Sequence, residues 1–467
     1  MSVTFPDLDS IAQARRAADR AYEAWLTFRT FEAADVDRVV DAMARAIAPE
    51  AARLGELAAT ETGYGNAADK TLKNLFNTIA VSDWLRNVRT LGVLWRDEAT
   101  KVVAIGEPMG VVAALIPVTN PTSTVIFKTL SAVKAGNAIV HAPHPRARQC
   151  CAETARVMGE AAEDAGAPAG LIQCISGATL DGTRELMSHH RTAVVMATGG
   201  SAMVRAAYSS GKPTLAVGPG NVPSYVDRSK ADDLHEVADM ILSSKSFDYG
   251  TACAAEQAVI ADRPIAQLLR RAIREQGGHF CTAREADALA GVLFDRNLSY
   301  RVENVGQSAS RLAQLAGFDV PPRTRVLLAE LETVGRQAPL SAEKLDPVLA
   351  FFEVEGAEQG FERALQILRF GGEGHTAVVH ASDPSTVARF SRLPAGRVLV
   401  NTPALHGGMG YSCDIDPSFM LGTGTWSGSI VSDNVTALHL INIKRVAYES
   451  RPWRSLTDLL ESGGGFS

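Results

Sequence analysis

The sequence predicts an α/β protein in which an open parallel sheet of dinucleotide-binding type is followed by a second α/β domain and a small β element. Three observations carry the prediction. Between Val111 and Gly218, short apolar runs of buried-strand type alternate with helix-length segments, the pattern of βαβ units in a parallel sheet. The chain before them is helical in its periodicity. After about residue 243, strand-like and helix-like segments mix again.

Each element has its own signal. Ile11, Ala14, Ala18, Tyr22 and Trp25 recur at helical spacing behind candidate caps Asp9 and Ser10. In a second helix, Asp35 can cap a face of Val36, Val39, Val40, Met43 and Ile47, which Pro49 is expected to interrupt. A β-rich stretch with Gly and Pro near 97–108 predicts a strand or hairpin. The parallel series then runs through Val111 to Ile116, a helix ending before Gly136, Ala138 to Ala142, a helix over about Cys151 to Asp164, Leu171 to Ile175, Val194 to Thr198 and Thr214 to Gly218. Strands are expected again at Thr376 to Ala381 and Arg397 to Asn401, and His439 to Ala447 alternates as a strand suited to pairing with another subunit. The chain so divides into a first domain over 1–242, broken by the β segment near 97–108, a second over 243–430, and a C-terminal oligomerisation strand and tail over 431–467 that closes on SGGGFS.

Composition narrows the class of function. Hydrophobic residues make up 46% and charged residues 21%, the balance of an ordinary folded chain with length for large cores. Lys and Arg number 46 against 52 Asp and Glu, so neither nucleic acid nor an anionic membrane is an expected partner. The N-terminal stretch carries acids from Asp7 onward and no apolar h-region, and the longest apolar run, Gly110 to Val118, is too short to span a bilayer. A cytoplasmic location is expected. Cys150, Cys151, Cys174, Cys253, Cys281 and Cys413 lack paired CxxC or Cys/His metal spacing, which predicts free thiols and no metal site.

Chemistry centres on Cys253, flanked in DYGTACAAEQ by small residues that leave its sulfur accessible. Alone, such a cysteine is more often a small buried hydrophobe than a nucleophile. Asn120, in the loop IPVTNPTST after a predicted strand, can donate its amide to a developing oxyanion together with the nucleophile's own N–H, or can simply suit the turn. In ATGGSAM, Gly199, Gly200 and Ser201 form a strand-to-helix junction whose N–H groups could meet a phosphate.

Taken in order, GEPMGVVAALIPVTNPTSTVIFKTLSAVKAGNAIVHAPHPRA, ATGGSAMVRAAYSSGKPTLAVGPGNVP, SFDYGTACAAEQ, EKLDPVLA, GGEGHTAVVHA, RVLVNTP and GTGTWSGSIVSDNV resemble the aldehyde dehydrogenase superfamily, and within it the coenzyme A-acylating branch. The resemblance implies that Cys253 attacks an aldehyde carbonyl, that Asn120 and the Cys253 amide hold the resulting oxyanion, and that hydride leaves to a nicotinamide to give an enzyme thioester. It implies further that Glu343 of EKLDPV meets the nicotinamide ribose, that Gly199, Gly200 and Ser201 lie near the pyrophosphate, and that His375 of GEGHT acts as acid, base or coenzyme A-positioning group. Hydrolytic relatives carry a glutamate in an E-L-G-G-K type segment, whereas the matching Ala216 to Asn221, AVGPGN, has no carboxylate. A thioester that is not hydrolysed passes to the thiol of coenzyme A, and the reaction can run backwards as acyl-CoA reduction.

For the adenosine ribose, the loop HAPHPRA offers His144 and Arg146. The Arg146 guanidinium suits a 2′-phosphate but is equally readable as a solvated charge, so NAD is expected with NADP open. His406 to Leu421, HGGMGYSCDIDPSFML, should shape the aldehyde side, with Tyr411, Ser412 and Phe419 confining it to a short aldehyde of the acetaldehyde, propionaldehyde, sulfoacetaldehyde or succinic semialdehyde class. Relatives bound for bacterial microcompartments carry an added amphipathic N-terminal peptide; this chain opens on a domain helix, which favours the free cytosol. A homodimer or homotetramer is expected. The competing readings are a hydrolytic aldehyde dehydrogenase and a thioester acyltransferase without hydride transfer.

Overall fold

The structure, a computed structural model, describes residues 5–451 together with 453 and 458; the SGGGFS segment lies outside them. Helix Phe5–Phe28 buries Ala14, Ala18, Ala21, Trp25 and Phe28 and begins ahead of the caps expected at Asp9 and Ser10. The next helix, Ala33–Thr62, starts from Glu32 rather than Asp35 and runs through Pro49 without interruption. Its apolar stripe continues past the proline in Ala51, Leu54 and Ala58, so burial along 30 residues outweighs the one N–H that proline cannot donate. A shorter helix, Ala67–Phe76, is capped by the Asn66 side chain on the Asp69 N–H.

Five parallel strands form the first sheet, in the order Ile172–Cys174, Ala138–Pro143, Val111–Ile116, Thr192–Thr198, Thr214–Val217. Strand order reverses beside Val111–Ile116, and in open α/β sheets ligands bind outside the carboxyl ends of the strands at such a switch point. Asn120 follows that strand and Gly199 follows its neighbour Thr192–Thr198, so both loops open at one edge.

The second sheet has seven parallel strands in the order Gly278–Phe280, Val326–Glu330, Val348–Val354, Glu256–Asp262, Val222–Val226, Gly374–His380, Ala395–Val400. Both of its faces are covered. Leu349 and Phe351 pack into one core while Ala350, Phe352 and Val354, one step out of phase, pack into the other. The chain changes sheets across residues 218–221, because Val222–Val226 already pairs with Glu256–Asp262 and Gly374–His380. The sheet boundary therefore precedes the expected 242/243 division. At the other end, Met420, Val435, Ala437 and Leu440 return to the core of the first sheet, on both sides of the expected division at 430.

A third, antiparallel sheet joins Gly92–Asp97, Val102–Pro108 and Ile441–Ala447. The stretch near 97–108 is thus half of a hairpin. The C-terminal strand pairs by one edge with Val102–Pro108 of its own chain, over seven residue pairs from Ile441 opposite Pro108 to Ala447 opposite Val102. Among the described residues, no helix is long and apolar enough to cross a membrane.

Candidate active site

Four neighbouring strands of the second sheet each begin next to a residue of one cleft. Glu343 precedes Val348–Val354, Cys253 precedes Glu256–Asp262, Gly220 precedes Val222–Val226, and His375 is the second residue of Gly374–His380. Because all four strands are parallel, these residues converge at the same edge.

The sulfur of Cys253 lies 3.3 Å from Nε2 of His375, whose Nδ1 is 2.9 Å from the Thr376 hydroxyl. Burial pushes the Cys253 thiol up to about 12, with the nearby Glu343 charge adding to the rise and Arg397 and Lys73 opposing it. Burial, reinforced by the Arg397 charge, drives His375 down to about 3. The resting pair is a neutral thiol beside a neutral imidazole, a geometry in which the ring can take the proton as the sulfur attacks.

The loop that delivers Cys253 is held under strain. Asp248 (φ 48°) and Tyr249 (φ 52°) are consecutive non-glycine residues in the left-handed region, at a cost on the order of 1–3 kcal/mol each. What holds them is the Asp248 carboxylate, which accepts from Lys73 Nζ at 2.5 Å, Lys70 Nζ at 3.0 Å and the Asn66 N–H at 2.8 Å. Burial works to raise the Asp248 pKa, but Lys73 and Lys70 outweigh it and hold the carboxyl below its ordinary value. Asn120 is joined to the same network: its Nδ2 donates to the Thr251 carbonyl at 3.2 Å and to the Thr119 hydroxyl at 3.0 Å, which brings the amide to the loop that carries Cys253.

Glu343 corrects one expectation. No residue of Ala216 to Asn221 is acidic, yet a carboxylate does reach that segment, because Glu343 Oε1 accepts the Gly220 N–H at 2.9 Å. Burial lifts Glu343 to about 7, offset in part by the Gly220 hydrogen bond and by Lys245 and Lys344.

At the strand ends of the first sheet, Gly200 caps the helix Ser201–Tyr208 without a side-chain hydrogen bond, and the Thr198 hydroxyl just before Gly199 is buried and unpartnered. An uncapped helix start, an unsatisfied hydroxyl and a switch point together fit a phosphate-bearing group. Arg146 is already engaged: it donates to the Tyr64 hydroxyl at 2.9 Å and to the Thr62 carbonyl at the end of the long helix, and lies over the Tyr64 ring. His144 Nδ1 accepts the Arg146 N–H at 3.1 Å, so it shapes the turn.

The surroundings of Cys253 are apolar on one side. Ala252, Ala254, Leu405, Met409 and Leu421 form one buried cluster, against which Phe76, Phe247 and Phe419 pack. Tyr411 is mostly exposed at its margin, in ring contact with Phe76, and Ser412 is bonded to Thr402.

Lys70, Lys73, Asp248 and Arg397 were not anticipated. A signal for the lysines does exist: Lys70, Lys73, Asn74 and Asn77 stand at i, i+3, i+4 and i+7 and are all buried, while Leu72 and Ile79 are exposed, an inversion of the usual amphipathic stripe.

Known proteins place this geometry in context. The chain is 36% identical over 455 residues to the bifunctional aldehyde-alcohol dehydrogenase of Escherichia coli strain K12, covering 96% of this chain and 51% of that one, so it spans about half the length of that relative. It is 35% identical to the sulfoacetaldehyde dehydrogenase (acylating) of Cupriavidus necator, over 92% of this chain and 87% of the relative. The crystal structure of an acetylating aldehyde dehydrogenase from Geobacillus thermoglucosidasius superposes with a TM-score of 0.94 at 45% identity, covering 96% of this chain and 99% of that one. The model of the aldehyde dehydrogenase family matches residues 3–308, and with these relatives it shows that the chain belongs to the aldehyde dehydrogenase family.

Proposed function

We propose that the protein is a coenzyme A-acylating aldehyde dehydrogenase, interconverting a short aldehyde, coenzyme A and NAD(P)+ with the acyl-CoA, NAD(P)H and a proton. The observation that carries this reading is the Cys253–His375 pair at 3.3 Å, set against Asn120 and the Gly220 loop. His375 takes the thiol proton as Cys253 forms the C–S bond, and the oxyanion accepts hydrogen bonds from Asn120 Nδ2 and the Cys253 N–H. Bound NAD(P) supplies the hydride acceptor; Gly199, Gly200 and Ser201 would hold its phosphates and Glu343 its nicotinamide ribose. Loss of hydride leaves a Cys253 thioester. His375 gives up the Cys253 proton to solvent, the one proton that the overall reaction releases; the coenzyme A thiol then adds to the thioester carbonyl at the same oxyanion site as its proton passes to His375, and collapse expels the Cys253 sulfur, which takes that proton back from His375.

Capture by a thiol rather than water is supported by the basicity of the groups present. Burial holds His375 well below the ordinary imidazole range, which leaves it a poor base toward water, whereas a thiol is both more acidic and the better nucleophile, and one oxygen of the nearby Glu343 carboxylate is hydrogen-bonded to Gly220. Relatives carry names that include acylating and acetylating dehydrogenases. With aldehyde and NAD+ but no coenzyme A, turnover should stop after about one NADH per site; steady NADH formation without a thiol acceptor would make the enzyme hydrolytic. An acyltransferase lacking hydride transfer would give no NADH at all.

The apolar cluster about Cys253 supports an uncharged short chain, acetaldehyde or propionaldehyde, over sulfoacetaldehyde or succinic semialdehyde. The engagement of Arg146 by Thr62 and Tyr64 supports NAD over NADP. Six free cysteines suit a reducing cytoplasm, and the outer edge of Ile441–Ala447 with its exposed side chains suits assembly as a homodimer or homotetramer.

A further inference from the structure

We propose that Lys73 is a positioning residue for the oxyanion site, acting on substrate only through Asn120, whose amide it locks with the NH2 group toward the nucleophile's loop. Lys73 is 2% exposed, and its ammonium has three acceptors: Asp248 Oδ2 at 2.5 Å, Asn120 Oδ1 at 2.6 Å and the Thr251 hydroxyl oxygen at 3.2 Å. The Thr251 hydroxyl gives its own hydrogen to Asp248, which leaves a lone pair free to accept from Lys73. All three ammonium hydrogens are so accounted for.

The consequence for Asn120 follows from its two ends. An amide can ordinarily turn over, exchanging its oxygen and nitrogen at little cost in shape. Here one end faces an ammonium, which has only hydrogens to offer, so that end must be the oxygen. The NH2 end thereby faces the Thr119 hydroxyl and the carbonyl of Thr251, two residues before Cys253 in the chain, and an oxyanion on the substrate would take over one of these two hydrogens. A hydrogen bond from a cation to the amide oxygen also draws electron density from the nitrogen and strengthens the Nδ2–H groups as donors. Lys70 cannot replace it, since its own partners are Asp248 and the Thr119 carbonyl.

The inference rests on Asn120 being the oxyanion donor, and a double-mutant cycle separates the two claims. Lys73→Met should lower kcat for acyl-CoA reduction by about as much as Asn120→Ala, on the order of 10²-fold, with the KM for NADH changed less than about threefold. Adding Lys73→Met to Asn120→Ala should cost no more than about a further threefold. Losses that multiply in the double variant, toward about 10⁴-fold, would overturn the proposal, because Lys73 would then act by a route that bypasses Asn120. A full loss in Asn120→Ala with a neutral Lys73→Met would overturn it too, leaving the role of Asn120 intact, whereas a neutral Asn120→Ala would remove the oxyanion assignment itself. Should Lys73→Met fail to fold, Lys73→Gln carries the same cycle: its amide can still donate to Asn120 Oδ1, so a loss clearly smaller than that of Asn120→Ala supports the locking role, and a loss equal to it in the single variant that persists in full on the Asn120→Ala background overturns it.

Discussion

Gly220→Ala perturbs the cleft at its tightest point. A Cβ at this position would meet the Cys253 carbonyl oxygen at 2.4 Å and the His375 ring at 2.9 and 3.0 Å. Real Cβ contacts essentially never fall below 3.0 Å, so the Cys253 carbonyl must retreat by at least the difference, 3.0 − 2.4 = 0.6 Å, and by about 1 Å to reach ordinary contact at 3.4 Å. Nothing in that contact is a flexible side-chain end: one neighbour is backbone and the other is a ring fixed between Cys253 and Thr376. The shift falls on the nucleophile and its base together. A misplacement of about 1 Å at reacting groups costs on the order of 10²-fold in rate, and overpacking of this kind costs about 1–3 kcal/mol of stability. Steady-state NADH oxidation with a short acyl-CoA gives the first quantity and denaturant unfolding the second. Gly159→Ala is the control, because that glycine lies within helix Arg148–Asp164 with nothing within 4 Å of its Cβ position; it should keep full activity and stabilise by about 0.5–1 kcal/mol. Wild-type kcat in Gly220→Ala would refute the close packing of loop, nucleophile and imidazole from which the mechanism is built.

Three further outcomes concern charge. Since burial pushes the Cys253 thiol up to about 12, inactivation of the free enzyme by iodoacetamide should rise about tenfold per pH unit between pH 7 and 10; a plateau near neutrality would mean a preformed thiolate. Glu343→Gln should speed that alkylation and Arg397→Met should slow it, because the carboxylate raises the thiol pKa and the guanidinium lowers it; opposite signs would count against both placements. Glu343 titrates at about 7 and is the better acceptor when ionised, so the KM for NAD should fall as pH rises through about 7 in the wild type and lose that dependence in Glu343→Gln, as initial-rate profiles would show.

The parts of the fold that could be read from sequence are those written locally. The strands of the first sheet are short apolar runs between glycines and helices, and Val111–Ile116, Ala138–Pro143 and Thr192–Thr198 fall within a residue or two of their expected bounds. Pro49 misleads because a local rule about one missing donor competes with an apolar face that only the folded neighbours complete. The sheet crossover at 218–221 is hidden for a similar reason: Thr214–Val217 and Val222–Val226 look alike as apolar runs, and which sheet each joins is decided by partners far along the chain.

Non-locality has its largest effect in the cleft. Gly220, Cys253, Glu343 and His375 meet because their strands are neighbours in space in the order Val348–Val354, Glu256–Asp262, Val222–Val226, Gly374–His380, an order that the linear sequence scrambles. Cys253, Asn120 and His375 could be singled out from sequence because each sits in a motif with a resemblance to lean on, and the structure brings His375 to the Cys253 sulfur and Asn120 to the loop before it. Glu343 was accessible as a residue but not as the carboxylate that reaches the Gly220 loop, since that contact crosses 123 positions. The absence of an acid within AVGPGN therefore cannot alone decide between hydrolysis and acyl transfer. In the proposed mechanism what matters is whether a carboxylate close to the thioester is free to activate water, and here one oxygen of Glu343 accepts the Gly220 N–H while burial keeps the imidazole beside the sulfur weakly basic. On the proposed acylating reaction, any change that frees Glu343 from the Gly220 N–H should raise the rate of thioester hydrolysis before it alters hydride transfer.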